Sequence, residues 1–217
     1  MKLSLYYAPV ACSLVPYVTL TETGADFETI PVNMGKGQQN SPEYLRLNPK
    51  HKVPVLVIDG EPLTENVAIQ IWISRTFPKA GLLPSDPKEE LKAISLMAWF
   101  ASGVHPALTP NNSPKRYCDL PGSEDSVKRC AQKLLDEHFS VADKMLAGRE
   151  WFFDHFTAVD AYFFWCFRRA TLFKLEHLDL SKFKNCMAHF ERMKQRASVQ
   201  KLLAFEARVQ QDFAKAA

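Results

Sequence analysis

The sequence has 217 residues, of which 47% are hydrophobic and 24% are charged, so it can bury a large core as one or two domains. Its 27 basic and 24 acidic residues are scattered and give a net charge of +3. There is no continuous basic stripe of the kind that binds nucleic acid. No run of about 18 apolar residues is present, so we expect neither membrane insertion nor secretion.

The cysteine content indicates a reducing environment. The number is odd and no pair has the Cys-x-x-Cys spacing, so the sequence predicts neither a disulfide framework nor a structural zinc site. We therefore expect a cytoplasmic protein that holds no metal. The five residues are Cys12, Cys118, Cys130, Cys166 and Cys186.

Short apolar runs alternate with helical patterns over the first 80 residues, which is typical of an α/β unit. Gly24 is a stop signal for the first predicted helix, and Asp59-Gly60 is a two-residue hairpin turn. The predicted order is strand, helix, strand, irregular segment, strand, strand, helix. The predicted limits are residues 3–7, 12–23, 27–32, 53–58, 61–63 and 65–76.

A segment rich in proline and glycine, from Phe77 to Lys88, predicts a linker. We place one domain at residues 1–80, the linker at 81–88 and an all-helical domain at 89–217. Two apolar stripes predict the first long helices of the second domain. The first stripe is Leu91, Ile94, Ala98, Ala101 and His105, and the second is Val127, Ala131, Leu134, His138, Val141 and Met145.

Prolines at positions 106, 110, 114 and 121 predict a loop between these two helices. Further on, Thr157 and Asp160 have the spacing of a capping box at the start of an apolar, aromatic-rich helix. Two more helices are predicted over residues 181–196 and 198–214.

Three segments resemble the glutathione transferase family, and most closely its bacterial beta class. They are Leu5-Tyr-Tyr-Ala-Pro-Val-Ala-Cys-Ser13, the pair Asn48-Pro-Lys-His-Lys-Val-Pro54 and Leu63-Thr-Glu-Asn-Val-Ala-Ile69, and Phe156-Thr-Ala-Val-Asp-Ala-Tyr162. The resemblance spans nearly the whole chain. It implies a thioredoxin-like glutathione-binding domain followed by an all-helical domain, and it implies a homodimer.

The resemblance also implies which residues bind glutathione. Val53-Pro54 should contain a cis peptide bond, with the Val53 backbone facing the extended peptide; a trans proline that opens a strand is the alternative. Glu65 should bind the ammonium group of glutathione, and Asn66, at a helix N-terminus, its γ-glutamyl carboxylate. Close relatives usually have serine at position 66.

Two residues at the start of the first helix are candidates for the catalytic centre. Cys12 matches the cysteine that touches the glutathione sulfur in the beta class, and its place at a helix N-terminus predicts a lowered thiol pKa. A buried small hydrophobic residue is the alternative interpretation. Ser13 could instead donate a hydrogen bond to the glutathione thiolate. Tyr6 and Tyr7 are weaker candidates, because the classes that use tyrosine lack this cysteine.

His105 matches the family histidine that reaches the active site from the helical domain, where it can act as a base. The next residue is Pro106, where relatives often have lysine, and a glycine pair usual in relatives is absent before Thr157. Lys36 matches the lysine that pairs with the glycyl carboxylate of glutathione, with Lys52 as a possible substitute.

The leading hypothesis is therefore a detoxifying transferase that joins the thiol of its co-substrate, glutathione, to a hydrophobic electrophile. One alternative is a thiol–disulfide oxidoreductase or peroxidase that acts through Cys12. A second alternative is a non-catalytic module that binds glutathione or another protein.

Overall fold

The structure, a computed structural model, describes residues 1–215. The chain forms two compact units. The first consists of Met1–Leu83 together with the segment that begins at Gln195, and the second is Pro84–Lys194. The last helix is therefore grouped with the N-terminal unit, whereas the sequence placed it in the helical domain. Within residues 1–215, no helix is both long and apolar enough to cross a bilayer.

The first unit is built on a four-stranded sheet with the strand order β2-β1-β3-β4. The β1 strand pairs in parallel with β2 and antiparallel with β3, and β3 and β4 form the predicted hairpin. The strands are β1 (Leu3–Tyr7), β2 (Glu28–Pro31), β3 (Val55–Ile58) and β4 (Glu61–Thr64). The helices are α1 (Leu14–Thr23), α2 (Pro42–Leu47), α3 (Asn66–Thr76) and, at the end of the chain, α9 (Ala197–Lys215).

The apolar residues of β1 and β3 explain why these strands lie at the centre of the sheet. Leu5 and Leu56 are opposite each other in the β1–β3 register, and both are fully buried. Such cross-strand pairs are the main source of sheet stability. The α1 helix ends at Gly24, whose φ of 71° is in the left-handed region, as the stop signal predicted.

The long secondary-structure elements of the second unit are all helices. It comprises α4 (Pro87–Trp99), α5 (His105–Asn112), α6 (Glu124–Met145), α7 (Ala158–Thr171) and α8 (Lys184–Gln195). The predicted fold class, an α/β domain followed by an all-helical domain, is confirmed: a small mixed sheet with its helices comes first and a mostly helical region follows.

The residues between α4 and α5 form a π-helical turn, Phe100–Val104, so that the helix continues through His105. The His105 amide donates to the Phe100 carbonyl, five residues back. Pro106 has no N–H for the usual bond and its ring crowds the preceding turn, which accounts for the wider turn. The predicted loop across Pro106 and Pro110 is wrong, because both prolines lie in α5.

The buried faces of α4 and α6 also differ from the predicted stripes. On α4, Ala93 and Met97 are buried, whereas Leu91 is 67% exposed. Both helices carry apolar residues on more than one face, and periodicity alone does not identify the face that meets the core. On α6 the buried residues are Ala131, Gln132, Leu135, Phe139 and Ala142, whereas Leu134, Val141 and Met145 are exposed.

The predicted capping box at the start of α7 is confirmed. Asp160 Oδ2 accepts hydrogen bonds from the Thr157 backbone amide at 2.8 Å and from the Thr157 hydroxyl at 3.1 Å. Its other oxygen, Oδ1, lies 3.0 Å from His189 Nε2 and accepts from the Phe152 amide at 3.1 Å. Asp160 and His189 are both buried, so this carboxylate joins α7, α8 and the preceding loop.

Candidate functional site

The loop between β1 and α1 is held in shape by its own residues. The Ser13 hydroxyl accepts a hydrogen bond from the Ala8 amide at 3.0 Å and donates one to the Ala8 carbonyl at 3.2 Å. The Ala11 amide also donates to the Ala8 carbonyl, at 3.2 Å. A hydroxyl has one hydrogen to donate. Because Ser13 is fully buried and donates that hydrogen to Ala8, it positions the loop in this structure and has no hydrogen left for a sulfur atom.

The Cys12 thiol lies at the end of this loop and is buried. Sγ donates to the carbonyl oxygen of Val53 at 3.4 Å. Burial raises the pKa of the thiol to about 12 and outweighs the backbone hydrogen bond; of the nearby charges, Glu65 raises it further and Lys52 lowers it. The expectation that the helix N-terminus lowers this pKa is therefore wrong. Desolvation of the thiolate exceeds the attraction of the helix dipole.

The Val53–Pro54 peptide bond is cis, as predicted. Two side chains hold the segment before it: the Tyr44 hydroxyl and the Asn48 amide each donate to the Lys52 carbonyl at 2.7 Å. Within residues 1–215 the Val53 amide donates no hydrogen bond. The backbone of Val53 therefore has a donor left to bind a peptide, beside the Cys12 thiol.

Glu65 and Asn66 stand at the N-terminus of α3. Asn66 Nδ2 donates to the Cys12 carbonyl at 3.0 Å, which ties α3 to the thiol loop. Glu65 has a φ of 71°, in the left-handed region, a conformation that costs a non-glycine residue about 1–3 kcal/mol and is concentrated at functional sites. Its exposed carboxylate pairs with the Lys50 ammonium, which also contacts the Thr64 hydroxyl.

The remaining predicted residues lie apart from this cluster in the sequence. Lys36 is exposed in the turn after β2, where its amide donates to Asn33 Oδ1 at 3.1 Å. His105 belongs to the second unit and begins α5. Its ring meets Trp165 edge to face, with centroids 4.3 Å apart.

Comparison with known proteins decides the family. The model of the glutathione S-transferase N-terminal domain matches residues 1–75, and that of the C-terminal domain matches residues 91–192. The chain belongs to the glutathione S-transferase family. A curated relative, glutathione S-transferase GstA of Escherichia coli O157:H7, is 33% identical over 208 residues, which cover 94% of this chain and 98% of the relative.

Solved structures of other glutathione S-transferases agree. The beta-class enzyme of Sphingomonas chungbukensis has a TM-score of 0.82 at 33% identity, covering 94% of this chain and 98% of that one. A sphingomonad glutathione S-transferase in complex with glutathione has a TM-score of 0.81 at 30% identity, with the same coverage. This glutathione S-transferase family member is accordingly a transferase.

One residue that contacts the loop between β1 and α1 was not predicted from the sequence, namely Glu206 of α9. Its Oε2 accepts from the Val10 amide and from the Tyr7 hydroxyl, both at 2.7 Å. The Tyr7 hydroxyl hydrogen is therefore directed to a carboxylate, which argues against the weaker hypothesis that it serves a thiolate. One sequence signal was available, because Glu206 interrupts the buried apolar stripe Val199, Leu202 and Val209.

Among residues 1–215, one exposed cluster has side chains that could approach a metal ion. The ligand atoms of Asp125, Glu176 and His177 lie within 4.8 Å of one another on the surface of the second unit. Arg129 already pairs with Asp125, and Lys174 with Glu176. Exposed acidic groups of this kind are common without a metal.

Proposed function

We propose that this glutathione S-transferase joins the thiol of glutathione to a hydrophobic electrophile. The observation that carries the proposal is the Cys12 thiol, whose pKa burial raises to about 12, beside a Val53 amide with a hydrogen to donate. This arrangement offers an extended peptide a backbone partner. It does not offer a reactive protein thiolate.

The two ends of glutathione differ in charge, and the site residues match them. The Glu65 carboxylate binds the ammonium group of the γ-glutamyl end, displacing Lys50. The first amides of α3 face its carboxylate, because the N-terminal N–H groups of a helix lack intrahelical partners. Lys36 or Lys52, both exposed, pairs with the glycyl carboxylate.

Conjugation then requires only that the glutathione sulfur lose its proton. An ordinary thiol has a pKa of about 8.5, so lowering it by about two units makes the thiolate the majority form at pH 7. We assign the stabilisation of this thiolate to the N-terminus of α1, whose dipole favours an anion, and the proton is lost to solvent. A role of His105 as a base remains a prediction of the family resemblance. The sulfur forms a bond to the electrophilic carbon, and from an aryl halide the halide leaves with the bonding pair.

The alternative of thiol–disulfide exchange through Cys12 is less well supported. Exchange needs a thiolate, and burial holds the Cys12 thiol in its protonated form. The chain also lacks a second cysteine in a resolving position, so glutathione would have to resolve the mixed disulfide.

The location, the oligomeric state and the class of second substrate are proposed from the resemblance to the family. We propose a cytoplasmic homodimer that detoxifies apolar electrophiles. The second-substrate pocket is proposed to include the residues from Tyr6 to Val10, with the identity of the electrophile open to a substrate screen.

One set of assays tests the function. The protein is passed over a glutathione resin and then assayed with a chlorodinitrobenzene and with the mixed disulfide of glutathione and mercaptoethanol. Retention with aryl-halide turnover supports conjugation, retention with disulfide turnover alone supports exchange, and retention without turnover supports a binding module.

A further inference from the structure

The loop that carries Cys12 contains a residue in an unfavourable conformation. Val10 has a φ of 65°, in the left-handed region. A β-branched residue rarely adopts this conformation, because its side chain crowds the backbone. Val10 lies two positions before Cys12, so a relaxed backbone at Val10 would carry the thiol away from Val53.

The contact that holds Val10 comes from the other end of the chain. Glu206 is 3% exposed, and one of its oxygens, Oε2, accepts from both the Val10 amide and the Tyr7 hydroxyl at 2.7 Å. Both bonds converge on one oxygen, so the Val10 amide and the Tyr7 hydroxyl are held to the same atom. The bond from Tyr7 fixes the Glu206 side chain to the end of β1. The bond from Val10 then fixes the loop to the same side chain.

The α9 helix that presents Glu206 is itself firmly attached to the first unit. Phe205 stacks on Tyr17, with ring centroids 5.2 Å apart, and it also packs against Tyr7. Arg196 makes two bonds of 2.9 Å to the carboxylate of Glu22 in α1. This helix lies outside the residues matched by either family model, 1–75 and 91–192.

We propose that Glu206 is a positioning residue that holds Val10 in its left-handed conformation and thereby keeps the Cys12 thiol against Val53. The effect of Glu206 on catalysis rests on the proposed function, since the same loop would face the glutathione sulfur. The effect of Glu206 on the position of Cys12 does not rest on it, because that position determines the accessibility of the thiol in the unliganded protein.

The test is the rate at which iodoacetamide alkylates Cys12 in the full-length protein, followed by peptide mass spectrometry. Glu206→Ala removes the acceptor, and Glu206→Asp keeps a carboxyl group but shortens its reach. Both should accelerate alkylation by about tenfold, the effect of losing one strong hydrogen bond. Glu206→Gln keeps an oxygen at the same reach and should stay within about twofold of the unmodified protein.

Two controls separate positioning from general destabilisation. Asp160→Asn weakens the capping box of the second unit without touching α9 or the loop, and it should leave the Cys12 rate unchanged. Cys166 and Cys186, both fully buried in the second unit, should stay slow in every variant that is folded. If Glu206→Ala does not fold, the alkylation rate of Cys12 is measured in Glu206→Asp alone. A folded Glu206→Asp protein with the original Cys12 rate, or Asp160→Asn with the same acceleration, would overturn the proposal.

A kinetic readout then connects the loop to turnover. In Glu206→Asp, the kcat for aryl-halide conjugation should fall while the KM for glutathione changes little, since Glu65 and α3 are untouched. If no variant or parent protein turns over, the proposed function fails, whereas the alkylation rates still decide the role of Glu206.

Discussion

The side-chain amide of Asn66 donates a hydrogen bond to the Cys12 carbonyl at 3.0 Å, joining the first residue of α3 to the thiol loop. The Cys12 thiol in turn donates to the carbonyl of Val53. These two bonds hold together three segments that are distant in sequence.

Cys12 should react slowly with iodoacetamide at neutral pH, and its rate should still be rising above pH 9. Burial raises the pKa of this thiol to about 12, so lowering the proton concentration continues to create thiolate where an ordinary thiol, with a pKa of about 8.5, has levelled off. Peptide mass spectrometry against pH measures the profile, with free glutathione as the reference thiol. A plateau below neutral pH would mean that the site stabilises the thiolate of Cys12.

Glu65→Gln should weaken glutathione binding by about 1.5–3 kcal/mol, because a charge-assisted bond to the ammonium group is lost. Calorimetric titration measures the affinity. The matched control is Lys50→Met, which removes the exposed partner of Glu65 and should change the affinity by less than about 1 kcal/mol. Equal affinity in Glu65→Gln and the parent protein would remove the assigned role.

Asp160→Asn should lower the free energy of unfolding by about 3–5 kcal/mol. The neutral amide cannot accept all the bonds that the buried carboxylate receives from Thr157, Phe152 and His189. Urea denaturation followed by tryptophan fluorescence gives the value. Asp154→Asn, at an exposed aspartate in the same segment, should behave like the parent, and a similar loss there would show that the capping box is not the cause.

Sedimentation should show a homodimer at micromolar concentration. In the family resemblance, the helix from Glu89 to His105 lies where the partners meet, and α4 presents Leu91 with 67% of its surface exposed. Leu91→Glu should therefore shift the protein toward monomer. Leu134→Glu, at a leucine of α6 that is 48% exposed, should leave the dimer intact. A parent protein that sediments as a monomer would contradict the family-type interface.

Much of the first unit could be predicted from the sequence, because its signals are local. The hairpin turn and the helix stop at Gly24 depend on residues next to one another. The cis bond at Val53–Pro54 was implied by the family resemblance, which itself rests on a short motif. The clustering of Cys12, Val53 and Asn66 followed from the motifs once the family was recognised.

Other features depend on residues that are far apart in sequence. The pKa of Cys12 is set by burial, which a position at a helix start does not reveal. The hydrogen bond from Val10 to Glu206 joins residues 196 positions apart, and no sequence motif predicts that these two residues meet. Pro106 predicted a break, but the helix accommodates this proline through a π-helical turn that begins at Phe100.

The most direct test of the account is the activity of Cys12→Ala toward a chlorodinitrobenzene and toward a glutathione mixed disulfide, measured beside the parent protein. We propose that the reacting thiolate belongs to glutathione and that Cys12 is a neighbouring contact. Cys12→Ala should therefore keep most of its aryl-halide conjugation and its glutathione affinity, while any disulfide exchange disappears. A variant that loses both activities equally, with glutathione affinity intact, would contradict it.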